Sequence, residues 1–280
     1  MSLSKFVLLG FSSSPNLHWL LFGIFLVIYL IILLGNGVII LITRLEPMLH
    51  TPMYFFVSNF SLLELCYVSV TLPRMLVDLW TQERNISFFA CATQMGFFLV
   101  LGSMECLLLV VMAYDRYVAI CNPLRYSLIM NRKLCIQLVT GSWISSFPVQ
   151  MGQTVQIFTL PFCGSNIINH FFCDIPLVLK LAFPTLAFLI VTVPFMLILV
   201  SYSRIISTIL RLCSNTGRAK AFSTCSSHLI VVILFYGSAN KLLALFYTIL
   251  TPMFNPMIYS LRNKDVIRAL RKFLLKLFKA

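Results

Sequence analysis

An acid and a base stand side by side at the end of a long apolar run in this sequence. Asp115 and Arg116 lie within Met-Ala-Tyr-Asp-Arg-Tyr at 112–117, which closes an apolar stretch over 95–112. A charge costs about 2.5–3.5 kcal/mol at the centre of a membrane span and less near its edge, so charged residues at such depth usually serve a function. The pair either neutralises itself as a static ion pair or separates when the protein changes state.

Two further acids, Glu64 and Glu105, lie inside apolar stretches. A buried carboxylate must pair, bind a cation or take up a proton. Oxygen ligands suit a hard cation, and Ser61 and Asn255 could supply further oxygens. The alternatives are therefore a Na⁺ site and two carboxylates that share one proton. Catalysis by the two acids is not expected, because neither water access nor a substrate pocket follows from their placement.

The composition indicates that these residues belong to a membrane protein. Hydrophobic residues make up 60% of the chain and charged residues 10%, and the mean hydropathy is +0.95. A soluble domain of this length needs far more polar surface. Seven apolar stretches approach the roughly 20 residues that a bilayer-crossing helix needs. They lie at about 20–42, 52–76, 91–119, 134–154, 186–210, 219–239 and 241–260.

The predicted fold is therefore an all-α membrane protein, a seven-transmembrane helix bundle over residues 1–260. Residues 261–280 are predicted to form a short cytoplasmic amphipathic helix and tail. Apolar residues recur there at helical spacing, and basic residues occupy the other face. The apolar set is Val266, Ile267, Leu270, Phe273, Leu274 and Leu277. A frayed basic tail is the alternative.

The net charge of +13 could suggest a nucleic-acid partner, but its distribution indicates a membrane topology. Most Lys and Arg residues fall on the side that holds Arg44, Arg132, Arg218 and the C-terminus. By the positive-inside rule that side is cytoplasmic and the N-terminus is extracellular. The basic side would also attract anionic lipid of the inner leaflet. We therefore expect contact with membrane lipid and no nucleic-acid partner.

Several long motifs resemble those of a single receptor family. Residues 112–121, M-A-Y-D-R-Y-V-A-I-C, resemble the inner end of the third span of an olfactory receptor, a branch of the rhodopsin-like (class A) G-protein-coupled receptors. Residues 47–56, 220–228 and 252–263 resemble further motifs of the same family. Their order and spacing also agree, so the resemblance covers essentially the whole chain.

The resemblance implies an odorant receptor, not an enzyme, in the plasma membrane of olfactory cilia. Such a receptor binds a small, mostly hydrophobic volatile ligand and activates a heterotrimeric stimulatory (olfactory) G protein, which raises cAMP. Arg116 would be released on activation and contact the G protein. The resemblance also places Glu64 and Glu105 opposite each other, as in the sodium pocket of related receptors. The other residues expected in the switch are Tyr117, Tyr202, Asn255, Pro256 and Tyr259.

The odorant pocket is expected in the outer half of the bundle. Phe98, Leu99, Gly102 and Ser103 share one face of the third span. An apolar pocket with few hydroxyls suits a small hydrophobic molecule held by shape and one or two hydrogen bonds. For any one of these residues the alternative is ordinary packing between helices. The resemblance adds Tyr236, Leu245 and Thr248 from the sixth and seventh spans.

Cys91 and Cys173 lie on the outer, oxidising side, where disulfides persist. The family resemblance pairs them, which would hold the second outer loop over the bundle mouth. Two unpaired thiols are the alternative. Asn85 begins the glycosylation sequon Asn-Ile-Ser. It lies so close to the third span that we do not expect it to be occupied.

Two outer connections are shorter than the family pattern. One lies between Leu181 and Pro194, and the other joins the sixth and seventh spans at 237–242. Either these loops are deleted, or residues are missing from a chain that is numbered consecutively, which is the interpretation we favour. A Cα–Cα distance well above 3.8 Å near 182–186 or 238–241 would indicate missing residues.

Two other function classes compete with an odorant receptor. A transporter would show an inverted repeat and pairs of broken helices, and no repeat is visible in the sequence. A non-signalling or engineered consensus scaffold of the same family would carry the same motifs and stays as the alternative.

Overall fold

A computed structural model describes residues 5–8, 15–81, 85–159, 167–168, 173, 193, 196–198, 200–208, 252–253 and 264–277. The helices are α1 (Pro15–Leu45), α2 (Pro52–Thr81), α3 (Phe88–Cys121), α4 (Tyr126–Ile129), α5 (Arg132–Thr159) and α6 (Lys264–Leu277). Three short strands are β1 (Lys5–Leu8), β2 (Asn85–Ser87) and β3 (Ile167–Ile168). Single 3₁₀ turns, Pro47–Leu49 and Pro123–Arg125, precede α2 and α4.

Three helices, α1, α2 and α3, are long and apolar enough to cross a bilayer. Together with α5, which has 28 residues, they cover the first four predicted spans. The predicted spans at 219–239 and 241–260 lie outside the described residues except for 252–253, and the span at 186–210 is described only in part. The part of the chain that the structure describes is therefore a bundle of apolar helices, as the predicted fold class requires.

The two short outer connections lie almost entirely outside the described residues, so the interpretation that residues are missing from a consecutively numbered chain stays a prediction. Residues 182–186 and 238–241, where the Cα separations were to be compared, lie outside the described residues.

The helices pack in the order α1, α2, α3, α5, with α3 between α2 and α5. The main core holds Phe56 and Phe60 of α2 and Met104 and Leu108 of α3, each at most 1% exposed. Lipid is as apolar as these side chains, so close van der Waals packing rather than removal from water stabilises their burial. α3 thereby becomes the central helix, against which the other elements are positioned.

Polar residues line the face of α5 that contributes to the interior. Ser142, Ser146, Gln150 and Thr154 recur every four residues, and all four are buried. Ser103 of α3 donates a hydrogen bond from its hydroxyl to Ser146 Oγ at 3.2 Å. Small and polar residues allow helices to approach closely and to bond to each other inside a membrane. The stripe therefore fixes α5 against the helix that carries most of the predicted site.

A small sheet that the sequence did not predict lies at the end of the bundle where α3 begins, which the predicted topology makes the outer end. Its strand order is β2-β1-β3, with β1 antiparallel to β2 and parallel to β3. Phe6 of β1 is buried with Ile86 and the outer end of α3, and its ring stacks on Phe88 at 5.9 Å. The N-terminal segment is therefore bound to both outer loops.

α6 confirms the amphipathic helix that was predicted for the C-terminal region. Its residues Val266 and Ala269 are buried in a cluster with Ile42 and Leu49. Lys272 Nζ lies 2.7 Å from Glu46 Oε1, in the turn after α1. The apolar face of α6 therefore docks on the inner ends of α1 and α2, and a frayed tail is excluded for these residues.

Candidate functional site

The inner end of α3 holds the acid and base that the sequence singled out. Asp115 is 1% exposed, and its Oδ2 lies 3.9 Å from Arg116 Nη2. A closer partner is Tyr126 of α4, whose phenolic hydroxyl donates to Asp115 Oδ1 at 2.7 Å. The sequence reading missed Tyr126, which follows the Pro123–Arg125 turn. Its only signal was an aromatic hydroxyl in the short loop after the charged pair.

The hydrogen bond from Tyr126 is insensitive to pH over the physiological range. Burial, and then the negative charge of Asp115, raises the pKa of Tyr126 well above its ordinary value of 10. A raised pKa means that the protonated phenol is favoured in the folded state. The bond is thus complete below pH 10 and is lost only in stronger alkali. Tyr126 therefore acts as a fixed donor to Asp115.

The other described switch residues belong to the main core or pack against it. Tyr202 is 3% exposed and belongs to the main core, and Tyr117 is half-buried against that core. One turn beyond Tyr117, Cys121 Sγ lies 3.2 Å from Thr208 Oγ1. The structure thus brings the inner ends of α3 and of the helical segment at 200–208 together. Asn255, Pro256 and Tyr259 lie outside the described residues.

The two mid-membrane acids are both deeply buried, with Glu64 of α2 1% exposed and Glu105 of α3 2% exposed. Ser61 is also buried, at 3%. Asn36 of α1 donates to Ile32 O and to Pro252 O, each at 3.1 Å. Its Oδ1 is buried and has no hydrogen-bond partner among the described residues. Three neighbouring helices thus supply buried oxygens of the type that a hard cation binds.

No group of three or more His, Cys, Asp or Glu that could hold a metal ion occurs in the described residues. A transition-metal site of the usual kind is therefore not built from those residues. A site for Na⁺ would instead combine two carboxylates with hydroxyl and amide oxygens, and buried residues of these types occur on α1, α2 and α3.

The four pocket residues predicted on α3 are all half-buried, but they meet different neighbours. The ring of Phe98 lies 5.3 Å from that of Tyr67 on α2, whereas Ser103 bonds to Ser146 of α5. Leu99 packs on the outer cluster that contains Cys91 and Cys173. A Cβ added at Gly102 would meet no described atom within 4 Å. The predicted face is therefore anchored at two edges, and it is open at Gly102 toward the described helices.

The remaining predicted pocket residues, Tyr236, Leu245 and Thr248, lie outside the described residues. The half of the pocket that can be described is the wall supplied by α3, with α2 and α5 on either side.

A disulfide joins Cys91 at the start of α3 to Cys173 in the second outer loop, with their Cα atoms 5.4 Å apart. This confirms the pairing that the family resemblance implied and rules out two unpaired thiols. Gln94, which the sequence reading missed, supports the bridge. Its Oε1 accepts from the backbone N–H of Cys173 at 3.3 Å, and its Nε2 donates to Val70 O at 3.1 Å.

The sequon residue Asn85 lies in β2 and is exposed. Its backbone carbonyl accepts from Arg74 Nη2 at 2.8 Å, and it pairs with Val7 in the outer sheet. Ser87, the third residue of the sequon, caps α3 by accepting from Ala90 N. The sequon is therefore part of folded structure next to α3, and its occupancy stays a prediction.

Known proteins resemble this chain over nearly its whole length. A family model described as olfactory receptor matches residues 25–240. Human olfactory receptor 10AG1 is 61% identical, and the alignment covers 98% of this chain and 99% of that receptor. Human olfactory receptors 10A7 and 10A5 are 53% and 50% identical, and each covers 96% of this chain and 93% of its own length.

The alignment with human olfactory receptor 10AG1 runs over 298 positions, although this chain has 280 residues. That relative therefore has residues without a counterpart here, in agreement with shortened connections. The family model matches well over half of the chain, and these relatives are at least 50% identical over nearly all of it. The chain thus belongs to the olfactory receptor family, and it is a membrane-embedded G-protein-coupled receptor rather than an enzyme.

Proposed function

We propose that this receptor binds a small, mostly hydrophobic volatile ligand in the outer half of its bundle and activates a heterotrimeric stimulatory (olfactory) G protein, which raises cAMP. The arrangement at the inner end of α3 supports this proposal most directly. Asp115 is shared there between a close neutral donor, Tyr126, and a more distant cation, Arg116. Because Tyr126 also bonds to Asp115, Arg116 can be released to a partner without leaving that carboxylate without a hydrogen bond.

The ligand would lie against the open side of α3. Gly102 leaves space beside the helix, and the half-buried rings and aliphatic chains of Phe98 and Leu99 flank that space. The Ser103 hydroxyl is bonded to Ser146 and still has a lone pair with which to accept from a polar ligand group. Tyr236, Leu245 and Thr248 would complete the pocket from the other side. Such a lining selects by shape and apolar contact.

Ligand binding would shift a two-state equilibrium rather than create a new conformation. Contraction of the helices around the ligand at the outer end would be coupled to separation of the helices at the inner end. The shift cannot exceed the difference in the free energy of ligand binding between the two states. Tyr117, Tyr202, Asn255, Pro256 and Tyr259 would rearrange around Arg116 in the active state.

The topology that serves this function has an extracellular N-terminus and a cytoplasmic C-terminus in the plasma membrane of olfactory cilia. The disulfide and the sheet lie at one end of the bundle. Arg44, Arg132 and α6 lie at the other. This distribution supports the orientation, because disulfides persist outside the cell and basic residues accumulate inside.

Filling the open side of α3 provides the test. In a cAMP reporter assay over an odorant panel, we expect at least one agonist for the unsubstituted receptor. We expect Gly102→Leu to shift its half-maximal concentration upward by roughly tenfold or more, since an added side chain would occupy the ligand volume. Gly141→Leu on α5, also at a site with nothing within 4 Å, is the matched control and should leave the curve unchanged.

Two results would contradict the proposal. One is an absence of any response above vector from receptor that is present at the cell surface. The other is an equal loss of response in Gly102→Leu and Gly141→Leu at equal surface levels.

We also propose that Glu64 and Glu105 bind Na⁺ with help from Ser61 and Asn255. The burial of both carboxylates, at 1% and 2% exposure, supports this, because a cation is one of the groups that can stabilise a buried carboxylate. Na⁺ in place of the equally concentrated organic cation N-methyl-D-glucamine should raise the unfolding temperature of the purified receptor by about 2–4 °C. Glu105→Gln should abolish this difference.

The alternative of a shared proton gives a different outcome in the same measurement. The unfolding temperature would then respond to pH and not to the cation, and Glu105→Gln, which preserves a hydrogen-bond donor, would be as stable as the unsubstituted receptor in both salts.

A further inference from the structure

We propose that a cavity at the inner end of the bundle binds the phosphate head group of an anionic inner-leaflet phospholipid. The cavity has a volume of about 840 Å³ and lies between the inner ends of α1 and α2 on one side and α4 and α5 on the other. Its position follows from three turns. α1 ends at Leu45, the Pro47–Leu49 turn leads into α2, and α4 leads into α5 at Arg132.

The charged side chains that line this cavity have a single sign. They are Arg44 and Arg132; His50 also lines it, and no Asp or Glu among the described residues does. His50 Nε2 lies 3.2 Å from Arg44 O, which holds the imidazole beside the end of α1. A head group could therefore be met from both sides, by Arg44 of α1 and by Arg132 of α5.

The acids nearest in sequence are already engaged with other groups. Glu46 lies 2.7 Å from Lys272 of α6, and Asp115 accepts the hydroxyl hydrogen of Tyr126 at 2.7 Å. Neither carboxylate is thus free to neutralise Arg44 or Arg132. Counted over the described residues, the cavity therefore keeps a positive charge that an anionic ligand from outside the chain would balance.

The rest of the lining is apolar and suits an acyl chain. The apolar lining consists of Leu49, Phe55, Met130 and Ile136. Ile136 is 43% exposed at the surface of α5. The amide of Asn59 donates to Phe55 O at 2.8 Å, so this lining polar group is already bonded. A soluble phosphate would use only the charged part of the cavity, whereas a phospholipid would use both parts.

The location at the membrane boundary favours a lipid as well. Arg44 stands at the end of an apolar span and Pro52 at the beginning of the next. Under the proposed topology this boundary faces the inner leaflet, which carries anionic lipid. Basic pockets between membrane helices on that side bind phosphorylated and acidic head groups. The inference rests on this part of the proposed function and is independent of the odorant.

Lipid retention by the purified receptor provides the test. Receptor in mixed micelles with phosphatidylinositol 4-phosphate or phosphatidylcholine should retain one molecule of the first, and about tenfold less of the second, by native mass spectrometry. Arg44→Gln combined with Arg132→Gln should lower the retained phosphatidylinositol 4-phosphate by roughly tenfold or more.

The matched control combines Arg125→Gln with Lys133→Gln. These exposed residues are close in sequence to the cavity but do not line it, and the change in net charge is the same. The control should retain the lipid as the unsubstituted receptor does. Equal unfolding temperatures of both double variants would show that any loss is local.

Three outcomes would overturn the proposal. The control pair could lose as much lipid as the cavity pair, which would indicate general electrostatic attraction. Phosphatidylcholine could be retained as well as the anionic lipid, which would indicate an apolar site. Glycerophosphoinositol 4-phosphate, the head group without acyl chains, could displace the lipid at equal concentration, which would indicate a soluble ligand. Because these measurements need no agonist, their failure would leave the odorant proposal untouched.

Discussion

Cys173→Ser is expected to remove most of the receptor from the cell surface. The disulfide closes a loop between residues 82 positions apart, and both cysteines are at most 2% exposed. Loss of such a native bridge typically costs about 2–5 kcal/mol, a large share of the roughly 5–15 kcal/mol that stabilises an ordinary protein. Surface staining of an N-terminally tagged receptor by flow cytometry, and the unfolding temperature of the purified protein, measure the loss.

The disulfide also predicts a specific pattern among the variants. Cys91→Ser should lose as much as Cys173→Ser, and the double variant should lose no more than either, because each single change already breaks the same bond. Cys66→Ser is the matched control, since that thiol is free and half-buried. Normal surface levels of Cys173→Ser, or additive losses in the double variant, would show that the bridge does not support the fold.

Asp115→Asn is expected to raise basal cAMP severalfold to tenfold, and Arg116→Ala to abolish the agonist response. An asparagine can still accept from Tyr126, so the substitution removes chiefly the negative charge that attracts Arg116. Both side chains are largely buried, at 2% and 14% exposure, so their attraction exceeds that of a surface pair. A change of about 1.4 kcal/mol alters the ratio of active to inactive receptor tenfold.

Tyr126→Phe should change basal cAMP in the opposite direction. Without the phenolic hydroxyl, Arg116 is the remaining partner of the Asp115 carboxylate among the described residues. The ion pair between them should therefore become shorter and stronger. Tyr114→Phe is the control. Tyr114 precedes Asp115 on α3 and is exposed, so its substitution should leave basal cAMP unchanged. If Tyr126→Phe raised the basal signal as Asp115→Asn does, Tyr126 would be holding the inactive state and not competing for Asp115.

The sequence was sufficient for features that depend on hydropathy and on long motifs. Apolar runs of membrane length predicted α1, α2 and α3, whereas the orientation that the basic residues indicate stays a prediction. The disulfide partners came from family resemblance, because nothing in the spacing of nine cysteines selects Cys91 and Cys173. The depth of Glu64 and Glu105 in the interior followed from their places within apolar runs.

Contacts between distant segments could not be predicted in the same way. β1 has four residues, and a strand that short is specified by its partners rather than by its own sequence. Tyr126 reaches Asp115 only because the Pro123–Arg125 turn reverses the chain after α3. Gln94 likewise bonds to Val70 and Cys173, 24 and 79 residues away.

One missed feature was nevertheless readable. Ser142, Ser146, Gln150 and Thr154 stand four residues apart in α5, which is the spacing of one helical face. Polar residues on one face of a membrane helix usually mark the side that meets other helices. That stripe could have predicted the contact of α5 with α3, and with it the position of Ser146 beside Ser103.

The outer sheet sets an order in which the receptor can be assembled during synthesis. β1, its central strand, is made first, whereas its parallel partner β3 begins at residue 167. At about 5–20 residues per second the ribosome needs roughly 10–30 s to make the intervening chain. Through that interval the N-terminal strand has at most β2 as a neighbour. The sheet can therefore close only after residues 167–168 have been made. Under the proposed topology, a nascent chain that stalls before β3 would present an unfinished sheet edge to the chaperones of the endoplasmic reticulum.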